Sequence, residues 1–338
     1  MSFVLQCTVA KYLFRLTHMM VFVVAKSELR WKSPGDDDDD DERVGAALSP
    51  TRVAGCLAWI LVWLLAASAA WAWSEGACNE VIVACLGRSG EDDKMCFLDK
   101  VQEFFFFKAR SLELINQGQE APIDAEAFLN ALYIIDIGQN DINALLSNLP
   151  YDQVVAKLPP ILAEIKYAVQ LLYGNGSRNF WIHGTGALGC LPQKLSIPRK
   201  NDSDLDQNGC LSTYNRAAVA FNTALGSLCD QLNVELKNAT VVYTDLFVIK
   251  YDLVANHTKY GFDSPLMTCC GYGGPPYNYD LSRSCQSSNS TVCADGSKFI
   301  SWDGVHLTEA ANAVVAAAIL SSAYSRPKLK FDQFCKAR

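Results

Sequence analysis

From residue 131 onward the chain alternates short apolar runs with longer amphipathic ones. ALYIIDIG (131–138) is strand-like and runs into a glycine turn. DQVVAKLPPILAEIKYAVQLLYGNG reads as a helix broken or restarted at Pro159 and Pro160 and stopped at Gly174. NFWIHG is the next strand, and after a polar loop STYNRAAVAFNTALGSLCDQLNVEL sets Phe221, Leu225, Leu228 and Leu232 at helical spacing, with Ser212 as candidate N-cap. TVVYTD predicts a third strand and residues 246–255 another helix. A loop rich in Cys, Gly and Pro fills 261–298, followed by the strand KFISWD and a final helix from Thr308 to Ser322. Strand then helix, repeated, predicts an α/β fold whose parallel sheet is covered on both faces. No internal repeat interrupts it.

Residues 78–130 are less regular. EVIVACLG reads as one strand and LDKVQEFFFFKARSLELINQG as one helix ending at Gly118. Only about fifty residues separate the end of that first strand from Asn140, short for the first half of a large sheet. Ahead of this region, residues 1–50 read as a disordered acidic leader, because the six consecutive aspartates of GDDDDDDER must stay solvated. Residues 51–73 read as a signal peptide: Arg52 precedes an uncharged run, 55–73, that ends in small residues. A signal anchor is the alternative, since about 19 apolar residues just span a bilayer. A signal peptide some fifty residues into a chain fits an over-extended start. The domain proper is then 78–338.

Composition narrows the class. The chain has 338 residues, half of them hydrophobic, enough for a substantial core. A net charge of -7 gives no electrostatic reason to expect a nucleic-acid partner. Thirteen cysteines and five N-glycosylation sequons, at Asn175, Asn201, Asn238, Asn256 and Asn289, suit an oxidising secretory route. The expected location is extracellular, with N-linked glycans at those five positions. Eleven cysteines follow residue 73, an odd number that leaves at least one unpaired within the chain. Cys269, Cys270, Cys285 and Cys293 lack paired CxxC spacing, so disulfides are favoured over zinc.

Two segments carry candidate chemistry. SWDGVHLTEAAN puts Asp303 three residues before His306. A catalytic histidine needs a carboxylate on its second ring nitrogen to fix tautomer and orientation, and this spacing makes that contact easy. The plainer reading is a capping aspartate followed by an ordinary loop histidine. DIGQND puts Gly138, Asn140 and Asp141 at the carboxyl end of an apolar strand, where α/β folds keep their ligand-handling groups. An Asn amide there can stabilise a developing oxyanion by roughly 3 kcal/mol. By itself the stretch also reads as a plain turn.

Taken in order, IGQND, TGALGCLPQ, SPLMTCCGYGGPPYNY and DGVH resemble the blocks of the plant GDSL esterase/lipase family of SGNH hydrolases, closest to its nodulin-like secreted branch, over roughly residues 97–335. The resemblance implies a three-layer α/β/α hydrolase acting on small-molecule or lipid acyl esters by a Ser–His–Asp mechanism, without cofactor or metal. Asp303 and His306 would complete the triad and Asn140 would line the oxyanion hole.

The departures lie toward the N-terminus. The family's nucleophile sits in a Gly-Asp-Ser block straight after the first strand, and no GDS occurs in this chain. Its nearest counterpart is Ser89, where an apolar strand leads into Gly87, Arg88 and Ser89, with Arg88 at the place of the family's Asp. The competing reading is a serine in a solvated Gly-Ser turn. The family's second block, a glycine that donates another oxyanion N–H, has no counterpart between Ser89 and Phe104. The expectation is therefore a member shortened in its first half and impaired in activity. The alternative is a non-catalytic secreted glycoprotein that keeps the second half of the fold. GTGALG, Gly184–Gly189, fits GxGxxG formally, but Cys190, Leu191 and Pro192 follow instead of a helix start, which argues against a dinucleotide site. His183 reads as a strand-end residue rather than a ligand.

Overall fold

The computed structural model describes residues 20–25, 80–85, 96–119, 123–199, 201–283, 285, 287–294 and 298–334, with side chains from residue 101 onward, Asp332 excepted. The aspartate run, the apolar stretch 55–73 and Ser89 lie outside these residues. One sheet organises the chain. It runs through β1 (Met20–Ala25), β2 (Glu80–Cys85), β3 (Leu132–Asp136), β4 (Asn179–His183) and β5 (Thr240–Thr244). Two small ribbons follow, β6 (Ser264–Thr268) with β9 (Phe299–Ser301), and β7 (Cys270–Gly271) with β8 (Thr291–Val292). β10 (Ser325–Arg326) then closes the main sheet, whose order is β1-β2-β3-β4-β5-β10.

β2 to β5 are parallel, and β1 and β10 pair antiparallel at the two edges. β1 falls inside the stretch that the sequence pattern assigns to the leader. Its MVFVVA is apolar and rich in β-branched residues, the composition a strand needs. It covers the outer edge of β2, which an incomplete first half would otherwise leave open.

The helices are α1 (Cys96–Asn116), α2 (Ala125–Asn130), α3 (Gln139–Asn148), α4 (Tyr151–Ala156), α5 (Leu158–Gly174), α6 (Pro192–Leu195), α7 (Ser212–Glu235), α8 (Leu246–Ala255), α9 (Glu309–Leu320) and α10 (Phe331–Phe334). The proline pair does divide the long amphipathic run, into α4 and α5, with Pro in the first turn of α5 where its missing N–H costs nothing. Ser212 is not the N-cap of α7. It is the first helical residue, after Leu211, and the capping role falls to Asp204, whose Oδ1 accepts from Thr213 N (3.1 Å) and Thr213 Oγ1 (2.8 Å).

Alternation along the strands builds the three layers. Tyr133 and Ile135 of β3 point to one side, into a core with Phe104 of α1, Phe128 of α2, Leu172 of α5 and Phe221, Leu225 and Leu232 of α7. Leu132 and Ile134 point to the other, joining Trp181 and Val242 against Ile249 and Leu253 of α8 and Val315 and Ile319 of α9. Neighbours in sequence thus stabilise opposite faces, each buried Leu, Ile or Phe contributing on the order of 1.5–3 kcal/mol. This is a three-layer α/β/α sandwich with the parallel strand ends gathered on one side. Among the described residues, no helix is long and apolar enough to cross a membrane.

Candidate active site

β3 ends at Asp136, and its register with β4 sets Asp136 opposite His183. Gly138 follows at φ 112°, a left-handed conformation that favours glycine, and the ring of Phe221 fills the space where a Cβ would stand. That sharp turn starts α3 at Gln139, so Asn140 lies exposed in its first turn, above the carboxyl end of β3, while Asp141 is buried. β2 runs parallel to β3 with Ala84 opposite Ile135, so the chain leaves β2 beside the same turn. Gly87, Arg88 and Ser89 come next in sequence and are outside the described residues.

The second half of the site follows β9. Asp303 Oδ2 lies 2.7 Å from His306 Nδ1. Its Oδ1 accepts the backbone N–H groups of Val305 (3.0 Å) and His306 (2.8 Å). One carboxylate thus makes both sets of contacts, Oδ1 with the N–H groups of the turn and Oδ2 with the imidazole. Trp302 N donates to the His306 carbonyl at 2.8 Å, closing the turn, and Gln193 N of α6, just past β4, donates to the Gly304 carbonyl at 3.2 Å. The Asp303 side chain is 24% exposed and that of His306 63%, so the imidazole reaches outward from a carboxylate held within.

Burial pushes the Asp303 carboxyl up, but the His306 side-chain bond, the imidazolium charge and the two backbone N–H groups outweigh it and hold it below the ordinary carboxylate value. His306 is raised above an ordinary imidazole, chiefly by its hydrogen bond to Asp303; desolvation and the Lys250 charge oppose this. With Nδ1–H donated to Asp303, the proton-accepting position is Nε2.

Lys250 of α8 brings a positive charge near the pair that the sequence pattern does not reveal. Its stem packs where a side chain on Gly186 would go, just beyond β4, and its charge acts on both His306 and His183. Its place on α8 carries no signal in sequence, because only the fold brings it to Gly186. His183 is 3% exposed, its Nδ1 is 4.0 Å from Asp136 Oδ2, and its Nε2 is buried with no hydrogen-bond partner among the described residues. Burial drives its pKa down to about 4, so it is a neutral core imidazole at the strand end. The GTGALG segment leads into a short 3₁₀ turn, Leu188–Cys190, with Gly189 N bonded to Asn215 Oδ1 and no long helix behind it.

A cavity of about 240 Å³ opens beside Asp303, lined by Tyr279, Asp280, Arg283, Trp302 and Val305 and walled by the Cys270–Cys285 bridge. Cys269–Cys293 and Cys190–Cys210 are the other disulfides among the described residues, and Cys229 is a buried free thiol. The described residues contain no group of three His, Cys, Asp or Glu side chains that could hold a metal ion.

A three-layer α/β/α sandwich with an Asp–His pair beside the carboxyl ends of its parallel strands agrees with the architecture that the resemblance to SGNH hydrolases implies. The profile of the family described as GDSL-like Lipase/Acylhydrolase matches residues 66–319, and the chain belongs to that family. GDSL esterase/lipase LIP-4 of Arabidopsis thaliana is 51% identical over 241 residues, 70% of this chain and 64% of that relative. GDSL esterase/lipase At1g09390, from the same plant, is 50% identical over 240 residues, again 70% and 64%. GDSL esterase/lipase At3g62280, also of Arabidopsis thaliana, is 52% identical over 237 residues, 70% of this chain and 65% of that relative. The matched part of the chain spans just under two thirds of the length of these relatives.

Proposed function

We propose that this chain is a GDSL-type hydrolase of carboxylic esters, working by a Ser–His–Asp mechanism with reduced power. Ser89 is the nucleophile, His306 the base that takes its proton at Nε2, Asp303 the group that orients His306, and Asn140 an oxyanion donor. The observation that carries the reading is the 2.7 Å Asp303–His306 bond, in a chain of this family, on a turn tied to the segment that follows β4. The substrate is a small-molecule or lipid acyl ester. His306 gives the serine proton to the departing alcohol as the acyl-enzyme forms; water, deprotonated by the now neutral His306, then attacks the acyl carbon, and the acid leaves as Ser89 regains its proton.

The chain is secreted, through residues 51–73 as a signal peptide or held there as an anchor, and glycosylated. All five sequon asparagines are exposed, which supports modification at Asn175, Asn201, Asn238, Asn256 and Asn289. The missing Gly-Asp-Ser block favours a second reading, a non-catalytic secreted glycoprotein that keeps the fold. Purified secreted chain, assayed on p-nitrophenyl acetate beside Ser89→Ala and His306→Ala, separates the two. Turnover that both changes abolish supports the hydrolase, and a wild-type rate no higher than the background left in the two variants supports the glycoprotein.

A further inference from the structure

The turn that joins Asp303 to His306 is gripped from outside its own strand. Gly304, at its centre, has φ 97°, and a Cβ there would run into the ring of Tyr279. Tyr279 belongs to the segment that the Cys270–Cys285 bridge closes. At the start of that segment the N–H groups of Cys269 and Cys270 donate to the carbonyls of Ser301 (2.9 Å) and Trp302 (2.7 Å), the two residues just before Asp303. Cys269 is itself tied to Cys293, whose N–H donates to the Cys269 carbonyl at 2.8 Å. The bridged loop therefore meets the turn at two places, by backbone at its entrance and by an aromatic ring at its middle. A disulfide that only stabilised this loop-rich stretch would need neither contact.

We propose that the Cys270–Cys285 loop is a clamp for the acid–base pair, with Tyr279, Cys269 and Cys270 as positioning residues that act through Gly304 and the Ser301 and Trp302 carbonyls. Tyr279 bars the turn from opening at its glycine, the one residue whose backbone freedom would let Asp303 swing away from His306. The two cysteine N–H groups fix where the strand ends and so where the Asp303 carboxylate begins. The charged groups that face this pair are Lys250 of α8 and, around the cavity, Asp280 and Arg283.

The clamp matters for catalysis only if Asp303 and His306 are the pair read above, but its test does not need turnover. Nuclear magnetic resonance titration of the His306 imidazole reads the Asp303 contact directly, with His257, whose Nδ1 lies 2.7 Å from the Phe262 carbonyl, as the internal reference. Tyr279→Ala, with both bridges intact, and the double change Cys270→Ala with Cys285→Ala should each lower the His306 midpoint toward that of a free imidazole and leave His257 where it was. An unmoved His306 midpoint in Tyr279→Ala, or equal shifts at His306 and His257, overturns the clamp. Tyr279→Ala decides alone if the double variant does not fold. A chain inactive on every ester still answers the question, so failure of the clamp and failure of the hydrolase reading remain separate results.

Discussion

Asp303 binds His306 twice, once at the ring through Oδ2 at 2.7 Å and once at the backbone N–H through Oδ1 at 2.8 Å. The ring bond needs a charged or hydrogen-bonding partner, whereas the backbone bond needs only an oxygen. Asp303→Asn should therefore keep the turn but lose the charge that raises His306. Its imidazole midpoint should fall below the wild-type value, since the remaining influences, desolvation and Lys250, both lower it. A midpoint unchanged in Asp303→Asn would show that another group holds the imidazole.

The same pair sets a pH window. His306 titrates above the ordinary 6.5 in the folded chain, so its contribution is full below 6.5 and fades as pH rises through the folded midpoint. Asp303 is held below the ordinary 3.8, so its contribution is present above 3.8 and is lost as pH falls through the folded value. Both are complete between about 4 and 6.5. Ester turnover, which needs neutral His306, should instead rise with pH through its raised midpoint. A rate that peaks below pH 6 would contradict His306 as base.

His183 has the opposite sign. Its folded pKa is near 4 while an unfolded histidine titrates near 6.5, so the unfolded chain takes up the proton first as pH drops. Stability contributed by neutral His183 is full above 6.5 and is lost progressively toward 4, by at most about 3 kcal/mol. Urea midpoints measured from pH 7 to 4.5 should fall, and the fall should be shallower in His183→Gln. Equal slopes in the two proteins would show that other groups set the acid limit.

The parallel strands and their helices are legible in the sequence because each buries a repeating face: Tyr133 and Ile135 against Leu132 and Ile134 on β3, or Phe221, Leu225 and Leu232 on α7. Asp303 and His306 are legible because three residues of spacing nearly force the contact. The rest depends on tertiary placement. Lys250 reaches Gly186 and Tyr279 reaches Gly304 only once the layers are assembled, and no local pattern records either meeting. The edge strand β1 is hidden for another reason, since its MVFVVA lies upstream of the aspartate run, in the stretch read as a leader on the strength of that run. Ser212 misleads because it is a favoured cap type at the right place, while Asp204, eight residues earlier, does the capping.

Gly138 links the fold to Asn140. Alanine there meets a φ of 112° and the Phe221 ring together. Backbone strain of about 1–2 kcal/mol and overpacking of about 1–3 kcal/mol should together cost roughly 2–5 kcal/mol. Phe221→Leu in the same chain should recover part of the overpacking and none of the strain. Thermal unfolding checks this. A Gly138→Ala protein as stable as wild type would mean that the turn into α3 has another conformation.

Secretory expression should yield a glycoprotein held by disulfides. Glycosidase should speed its migration on a denaturing gel, and reduction should slow it by releasing Cys190–Cys210, Cys269–Cys293 and Cys270–Cys285. Loss of any one bridge should cost on the order of 2–4 kcal/mol through the unfolded chain. Mobility unaltered by both treatments would refute the secretory reading.

The chain as it stands should hydrolyse simple esters weakly, and Arg88→Asp should strengthen it. A triad works as a unit, so a poorly set nucleophile forfeits most of what the His306–Asp303 pair can supply. Losing one oxyanion donor costs about 10²–10³ in rate. The glycine block that would supply a donor beside Asn140 has no counterpart between Ser89 and Phe104. Arg88 places a long cation next to Ser89, where the family's short acidic side chain would complete Gly-Asp-Ser with Gly87. Arg88→Asp rebuilds that block without touching Ser89, and a gain of about tenfold, or 1.4 kcal/mol of barrier, is the expected result. Ser89→Ala on top of Arg88→Asp should erase the gain, because the restored turn serves only its serine. Turnover of p-nitrophenyl acetate by the four proteins, wild type, each single variant and the double, tests both claims. A wild-type rate that Arg88→Asp lowers, or a gain that survives Ser89→Ala, would remove Ser89 from the site and leave the Asp303–His306 pair without its nucleophile.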